Sequence, residues 1–413
     1  MDTYGAAKFL NRGNSCYKQN MIADAAGWFR KAAKADPGLF AAHANLGNTL
    51  MQLNRYEEAI KAYTAALDIK RTAPMVARNL GECFEKTNRL DMAERYYRLT
   101  LDLNPDNADT YVDLGNAIQK QGGNHKALEY YRKALEINPQ LAGAQHDIAL
   151  CLYDDRDLSE AEQALRLAVR MDPGNALSTC FLGIILEHQG KNMDAKNFLL
   201  FAKENSRFNR CLIESARYAF GKAPGARFFS NTMDVLRYAV NQSDGDGLFM
   251  EFGVYYGASL NVIANSTRET VHGFDSFEGL PESWFVDKDD GSIATEPSGA
   301  YTTRGYVPSA PENTRLHPGW FEDSLPEFLK NYEATASFMN IDCDIYSSTK
   351  TIFQFLKDRI RPGTIIVFDE YFCYPEWRDH EFKAFHELIT DAAYTYEYIA
   401  FSYFTGQAVV RIV

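Results

Sequence analysis

Residues 40–69 read FAAHANLGNTLMQLNRYEEAIKAYTAALDI, and their pattern is set by a small residue, Gly47, followed twelve positions later by Ala59. The pair recurs every 34 residues along the first half of the chain. Gly13, Gly47, Gly81, Gly115, Ala149 and Gly183 form one column, and Ala25, Ala59, Ala93, Ala127, Ala161 and Ala195 the other. Two antiparallel helices pack closely only where small side chains face each other, so the period predicts six helix pairs. Large apolar residues sit at fixed offsets along the seam, among them Leu46, Leu80 and Leu114 from the first helix and Phe29, Tyr63, Tyr97 and Tyr131 from the second. Pro37, Pro105, Pro139 and Pro173 mark where second helices stop. The second unit departs from this with Arg71 and then Pro74, which predicts a different turn there.

Over roughly residues 4–205 the chain resembles the tetratricopeptide repeat family in period, small-residue columns and proline column. Each unit touches only its neighbours, so stacking implies a curved solenoid with a concave groove. That groove implies a protein or peptide partner. The alternative is a spacing or dimerisation device.

A chain of 413 residues exceeds one ordinary core, so two domains are expected. Its 46% hydrophobic and 13% aromatic content excludes wholesale disorder. A net charge of −12 without a dense basic run disfavours nucleic-acid binding. The seven cysteines are scattered with neither zinc-knuckle nor redox spacing, which suits free thiols in a reducing, cytoplasmic setting. Met1-Asp2-Thr3-Tyr4 lacks a signal-peptide profile, and no apolar run is long enough for a membrane span.

The 34-residue register fades after Ala202, and Gly221 to Gly225 is rich in breakers. This reading gives a solenoid over 1–205, a linker over 206–228 and a second domain over 229–413. From Gly247 onward, short apolar runs alternate with helical stretches, the pattern of a parallel sheet covered on both faces. The run Leu248 to Phe252 leads into Gly253-Val254-Tyr255-Tyr256-Gly257-Ala258-Ser259 and then a helix, which brings backbone close to a ligand at a helix N-terminus. The next strand ends at Asp275, where an acid can hold a ribose diol. The glycine spacing, E-x-G-x-x-x-G, is wider than a dinucleotide fingerprint, so a nucleoside without pyrophosphate is expected, S-adenosylmethionine foremost. Glu251 and Gly253 would line its amino-acid end. A tight turn with no ligand is the bland alternative.

Two further strands end at Asp342-Cys343-Asp344 and at Asp369-Glu370, joined by one helical crossover. Neighbouring tips would gather Asp342, Asp369 and Glu370 around Mg²⁺, Mn²⁺ or Ca²⁺, while helix capping is the competing account for Asp344. The proton acceptor would be Asp342 or Asp344, with His380 as a second candidate. His272 reads as structural. The long stretch Ser283 to Thr314 reads as an acceptor-binding lid or as a disordered insertion.

The blocks Glu251 to Ser259, Asp275-Ser276-Phe277-Glu278-Gly279-Leu280-Pro281, Gly319 to Pro326, Asp342 to Thr349 and Val367 to Tyr371 occur in this order. They resemble the macrocin O-methyltransferase family over about residues 230–413. The resemblance implies a Rossmann-like class I methyltransferase domain, and so an α plus α/β chain with an all-α solenoid before it. It further implies Mg²⁺-dependent O-methylation of a sugar hydroxyl and a homo-oligomer. By the same resemblance Glu251, Gly253, Tyr255, Gly257, Ser259, Asp275 and Ser276 would contact the donor, Trp320 and Phe321 would pack on the adenine, and Asp342, Asp369 and Glu370 would ligate the metal. The family has two aspartates where this chain has Asp369-Glu370. The competing function is a non-catalytic scaffold whose second domain senses a nucleoside.

Overall fold

The computed structural model describes residues 3–287 and 293–413, which fall into two compact units, 1–144 and 145–413.

The first unit holds four helix pairs: α1 (Thr3–Lys18) with α2 (Ile22–Ala35), α3 (Phe40–Gln52) with α4 (Tyr56–Ile69), α5 (Pro74–Lys86) with α6 (Leu90–Leu103), and α7 (Ala108–Lys120) with α8 (Asn124–Ile137). The small-residue column has a direct steric cause. A Cβ on Gly47 or Gly115 would stand 2.5 Å from the ring of Tyr63 or Tyr131, and one on Gly81 2.8 Å from Tyr97. Each ring thus occupies the space that a side chain on its partner helix would need. Between the two helices of each pair the chain reverses through a left-handed residue: Asn20, Asn54 and Asn88 have φ of 58°, 55° and 54°, and Gly122 has 78°. Asparagine and glycine adopt this conformation at low cost, so the turn repeats with the helices. Pro74 opens α5, where its missing N–H is not needed, and this is how the second unit's turn differs.

The second unit begins with the last repeats, α9 (Ala142–Cys151), α10 (Ser159–Met171), α11 (Ala176–His188) and α12 (Asn192–Asn205). Residues 206–228, read as a linker, instead hold a 16-residue helix, α13 (Arg207–Lys222). Ser206 caps it by accepting from Asn209 N, and Leu212, Ile213, Ala216 and Ala219 are buried where it packs on α11 and α12. Their helical spacing was masked by the basic and aromatic residues between them. Strand β1 (Arg227–Phe228) then joins the sheet at its edge. Asp155, in the turn before α10, takes the Arg227 guanidinium at 2.8 Å and Phe228 N at 2.7 Å. Phe404 packs on Phe181 at 4.7 Å, so the final repeats and the sheet share one core.

The remaining sheet strands are β2 (Leu248–Phe252), β3 (Val271–Asp275), β6 (Thr314–Pro318), β7 (Ala336–Ile341), β8 (Ile365–Phe368), β9 (Tyr396–Ser402) and β10 (Gln407–Ile412). Their eight-stranded order is β1-β9-β10-β8-β7-β2-β3-β6. All pairs are parallel except those of β10, which runs antiparallel to both β8 and β9, a reversal that the parallel-sheet reading did not include. Every residue of β2, β7 and β8 is buried, as expected of central strands covered on both faces. Helices α14 (Thr232–Gln242), α15 (Ala258–Ser266), α16 (Phe321–Asn331), α17 (Tyr346–Leu356) and α18 (Glu381–Ala392) complete the α/β layers. A separate hairpin, β4 (Trp284–Asp287) with β5 (Ile293–Glu296), occupies part of the stretch read as a lid. Within that stretch, residues 288–292 lie outside the described residues.

From β2 the chain moves outward through β3 to β6 and then returns to β7 on the other side of β2. The carboxyl ends of β2 and β7 thus flank a topological switch point, where open α/β sheets bind ligands.

The steric reading of the repeats is checked by a pair of variants. Gly115→Ala should lower the stability of the repeats by about 1–3 kcal/mol, because Tyr131 must yield. Gly27→Ala, inside α2 with nothing within 4 Å, should raise it by about 0.5–1 kcal/mol. Urea midpoints that moved in the same direction for both would refute the steric account.

Candidate active site

The strand register lines up four exits. Phe252 pairs with Phe274 and with Ile341, and Ile341 pairs with Phe368. The residues that follow these strands, or end them, are Gly253, Asp275, Asp342 and Asp369, side by side along one edge. Backbone bonds fix the alignment: Asp342 N donates to Phe252 O at 2.8 Å, and Asp369 N to Ile341 O at 2.9 Å.

The turn after β2 is tightly specified. Gly253 has φ 96°, and a Cβ there would collide with Asp342 O. Gly257, at φ 81°, starts α15. Between them Tyr255 has φ 50°, uncommon for a bulky side chain. Asp275 holds this turn in place: Oδ2 accepts from Val254 N at 2.8 Å and Tyr255 N at 2.7 Å, and Oδ1 accepts from Phe277 N at 2.6 Å. The carboxylate read as a ribose contact is thus already engaged as the organiser of two loops. Its carbonyl accepts from Gly319 N at 2.9 Å, which brings in the exit of β6 as well. Ser276 lies beside it, accepting from Glu278 N at 3.1 Å and donating to Gly279 O at 3.3 Å. Trp320 precedes α16, and Phe321 meets Phe252 edge-on at 5.8 Å.

Glu251, in β2, has no solvent exposure. Its Oε1 accepts from the Ser259 hydroxyl and from Asn340 Nδ2, whereas Oε2 has no hydrogen-bond partner among the described residues. Burial, reinforced by Asp275 and Asp369 and opposed by the two hydrogen bonds, pushes its carboxyl up to about 8. His272 is buried 3.0 Å from the His317 ring nitrogen, in a structural position as expected.

The acids at the tips of β7 and β8 are raised first by burial. Burial lifts Asp369 to about 6, against a hydrogen bond from Gln407 Nε2 at 2.5 Å. Burial also lifts Asp342 well above the carboxylate range, with Asp369 and Asp344 adding to it, and lifts Glu370, with Asp369 and Asp344 adding. Asp344 itself has φ 64°. Among the described residues, however, no three His, Cys, Asp or Glu side chains are placed to hold one ion. The expected trio of Asp342, Asp369 and Glu370 is therefore not preassembled. One oxygen of Asp369 is committed to Gln407, and the backbone N–H of Glu370 donates to Glu381 Oε2 at 3.1 Å.

Glu381 went unnoticed in the sequence, where it is an ordinary first-turn acid of a helix. It is fully buried, its Oε1 has no partner among the described residues, and burial with Glu370, Asp369 and Asp344 raises it well above the usual range. His380 stands apart from the strand-end acids. Its ring lies 5.9 Å from that of Tyr374, its Nδ1 is buried without a partner among the described residues, and burial lowers it against Asp379, Glu376 and Glu282.

Comparison with known proteins adds to this geometry. Residues 224–395 match the family model of macrocin-O-methyltransferase (TylF). Residues 40–72 match the tetratricopeptide repeat, and residues 77–208 match the middle TPR-like domain of cilia and flagella-associated protein 70. A curated relative from Streptomyces olivaceus, 8-demethyl-8-(2,3-dimethoxy-alpha-L-rhamnosyl)-tetracenomycin-C 4'-O-methyltransferase, is 28% identical over 158 residues, 34% of this chain. The match spans 59% of that relative's length. Among solved structures, MamA aligns with 42% of this chain and 94% of its own at 22% identity and TM-score 0.40. Pseudomonas aeruginosa pilF aligns with 49% of this chain and 91% of its own at 24% identity and TM-score 0.42. At these scores neither carries weight for function. The chain carries tetratricopeptide repeats and, C-terminal to them, a TylF-type O-methyltransferase domain.

Two outcomes test this description. From pH 4.5 to about 8 the folded chain keeps a Glu251 proton that the unfolded chain has lost, so stability should fall as pH rises through that window and level off above it. Thermal melts of Glu251→Gln should show a shallower fall than wild type. Asp275→Ala, which strands three backbone donors, should cost about 3 kcal/mol in denaturant titrations. A cost near zero would dismiss its organising role.

Proposed function

We propose that the chain transfers the methyl group of S-adenosylmethionine to a hydroxyl of a sugar or glycan-type acceptor, with Mg²⁺ as assistant and the repeats recruiting a protein or peptide partner or the acceptor itself. The observation that carries this reading is the unpartnered, fully buried oxygen of Glu251 beside a left-handed glycine turn at the switch point of a TylF-type domain. The ammonium of a methionine moiety would donate to this oxygen and, by its charge, hold the carboxyl ionised. Gly253, Tyr255, Gly257 and Ser259 would line the same end of the donor. Asp275 and Ser276 would meet the ribose with the lone pairs left over from the turns, and Trp320 and Phe321 would flank the adenine.

The acids suit a hard divalent cation by their chemistry, since oxygen donors kept neutral by burial are restored to carboxylates by a positive charge. Mg²⁺ keeps several waters and needs only one or two carboxylates, so the lack of a ready-made trio leaves room for it. Asp342 and Asp369 would hold it, with Glu370 as third. When bound, it would orient vicinal hydroxyls and lower the pKa of one.

The chain's own residues supply position and a proton acceptor. The reacting hydroxyl must lie in line with the carbon–sulfur bond, and placement alone provides much of the rate. As the oxygen bonds to the methyl carbon, the pair of the broken bond stays on sulfur and the hydroxyl proton passes to a carboxylate. Asp344 or Asp342 takes it. His380, neutral because burial lowers it, is the second candidate.

Calorimetric titration with S-adenosylmethionine, with and without Mg²⁺, tests the reading. Donor binding is expected in the wild-type chain. Asp342→Asn should reduce transfer of radiolabelled methyl by about 10²–10⁴-fold while leaving donor affinity within about threefold. Absence of donor binding in both conditions defeats the proposal. Binding with no transfer to any sugar-bearing fraction would favour the nucleoside-sensing scaffold.

A further inference from the structure

The segment after the hairpin, residues 297–308, is stitched to the exit of β3. Leu280 N donates to Ala300 O at 2.9 Å, Gly299 N to Leu280 O at 2.8 Å, and Gly305 N to Phe277 O at 3.0 Å. A Cβ on Gly257 would come within 3.8 Å of Pro308, so the segment also covers the first turn of α15. The strap is held in an unusual backbone state: Phe277, Tyr301 and Arg304 have φ of 58°, 59° and 57°. Left-handed backbone at bulky residues persists only where the surroundings enforce it, and it gathers at ligand-binding segments.

The result is a line of tyrosine rings over the glycine turn. Tyr301 meets Tyr255 at 6.2 Å and 89°, Tyr255 meets Tyr256 at 4.6 Å and 69°, and Tyr256 meets Tyr306 at 6.2 Å and 37°. The two outer rings are open to solvent, Tyr301 at 46% and Tyr306 at 57% exposure. Contiguous exposed apolar surface of this sort marks a binding site, and each ring carries a polar tip.

We propose that Tyr255, Tyr256, Tyr301 and Tyr306 form a platform for a pyranose ring of the acceptor, setting which sugar is presented to the donor. This rests on the methyl-transfer reading above. The arrangement selects the class of ligand. The rings meet at 89°, 69° and 37°, so they offer no continuous parallel slot for a flat base. They do offer alternating faces and hydroxyls to a puckered ring that has C–H groups on one side and hydroxyls around its rim. Their seat on the turn that would hold the donor places such a ring next to the transferable methyl.

Saturation-transfer NMR on the full chain with methyl α-L-rhamnopyranoside and methyl α-D-glucopyranoside provides the test, with S-adenosylmethionine titrated into the same samples. The ring protons of at least one pyranoside should receive saturation. The Tyr301→Ala/Tyr306→Ala double variant should weaken that binding by about tenfold, and Tyr301→Phe/Tyr306→Phe should restore most of it. Both variants should keep the wild-type melting temperature and donor affinity. Unchanged pyranoside binding in the alanine variant, or none in wild type that binds the donor, overturns the platform alone. Pyranoside contact without donor binding would uphold the platform and remove the methyl-transfer reading.

Discussion

One carboxylate holds the strand-exit end of the sheet together. Asp275 accepts three backbone N–H bonds through its side chain and a fourth through its carbonyl, and these come from the exits of β2, β3 and β6. Charge-assisted bonds to backbone donors are among the stronger ones in a protein, and here they stabilise a turn whose residues sit in left-handed conformations. Without them, Tyr255 would be expected to relax toward ordinary backbone and the start of α15 to shift. The position of Glu251's free oxygen relative to the turn, and the line of tyrosines above it, both follow from this anchor.

Beside that anchor the chain does something costly. Burial raises Asp342, Asp369, Glu370 and Glu381, and Asp369 adds to the rise of the other three. Folding stability alone would remove such a group, since apolar replacements avoid the desolvation. Acids hindered from ionising, gathered at the carboxyl ends of two central strands, are the kind of perturbed group that clusters at functional sites.

The two halves of the molecule were unequally legible. The repeats could be read because each contact recurs with the period: Gly47 under Tyr63 and Gly115 under Tyr131 are the same contact 68 residues apart. The strand exits could be read because each acid directly follows an apolar run. What escaped lies between segments distant in the chain. Gln407 reaches Asp369 from β10, whose reversed direction leaves no trace in its alternation of residues. Glu381 is one of several acids near a helix start, and nothing local tells that its surroundings bury it. The anchoring role of Asp275 left no trace in the sequence, because its partners there are backbone atoms.

Asp155 belongs to a repeat and Arg227 to the edge of the sheet, and their forked ion pair sits above a set of rings that includes Phe181, Phe404 and Phe228. A protein engineer who excised the catalytic half at residue 229 would strip the outermost strand from its neighbour and leave those rings wet. A fragment meant to stand by itself should therefore retain the final helix pairs, which serve as foundations of the sheet as much as units of the repeat array.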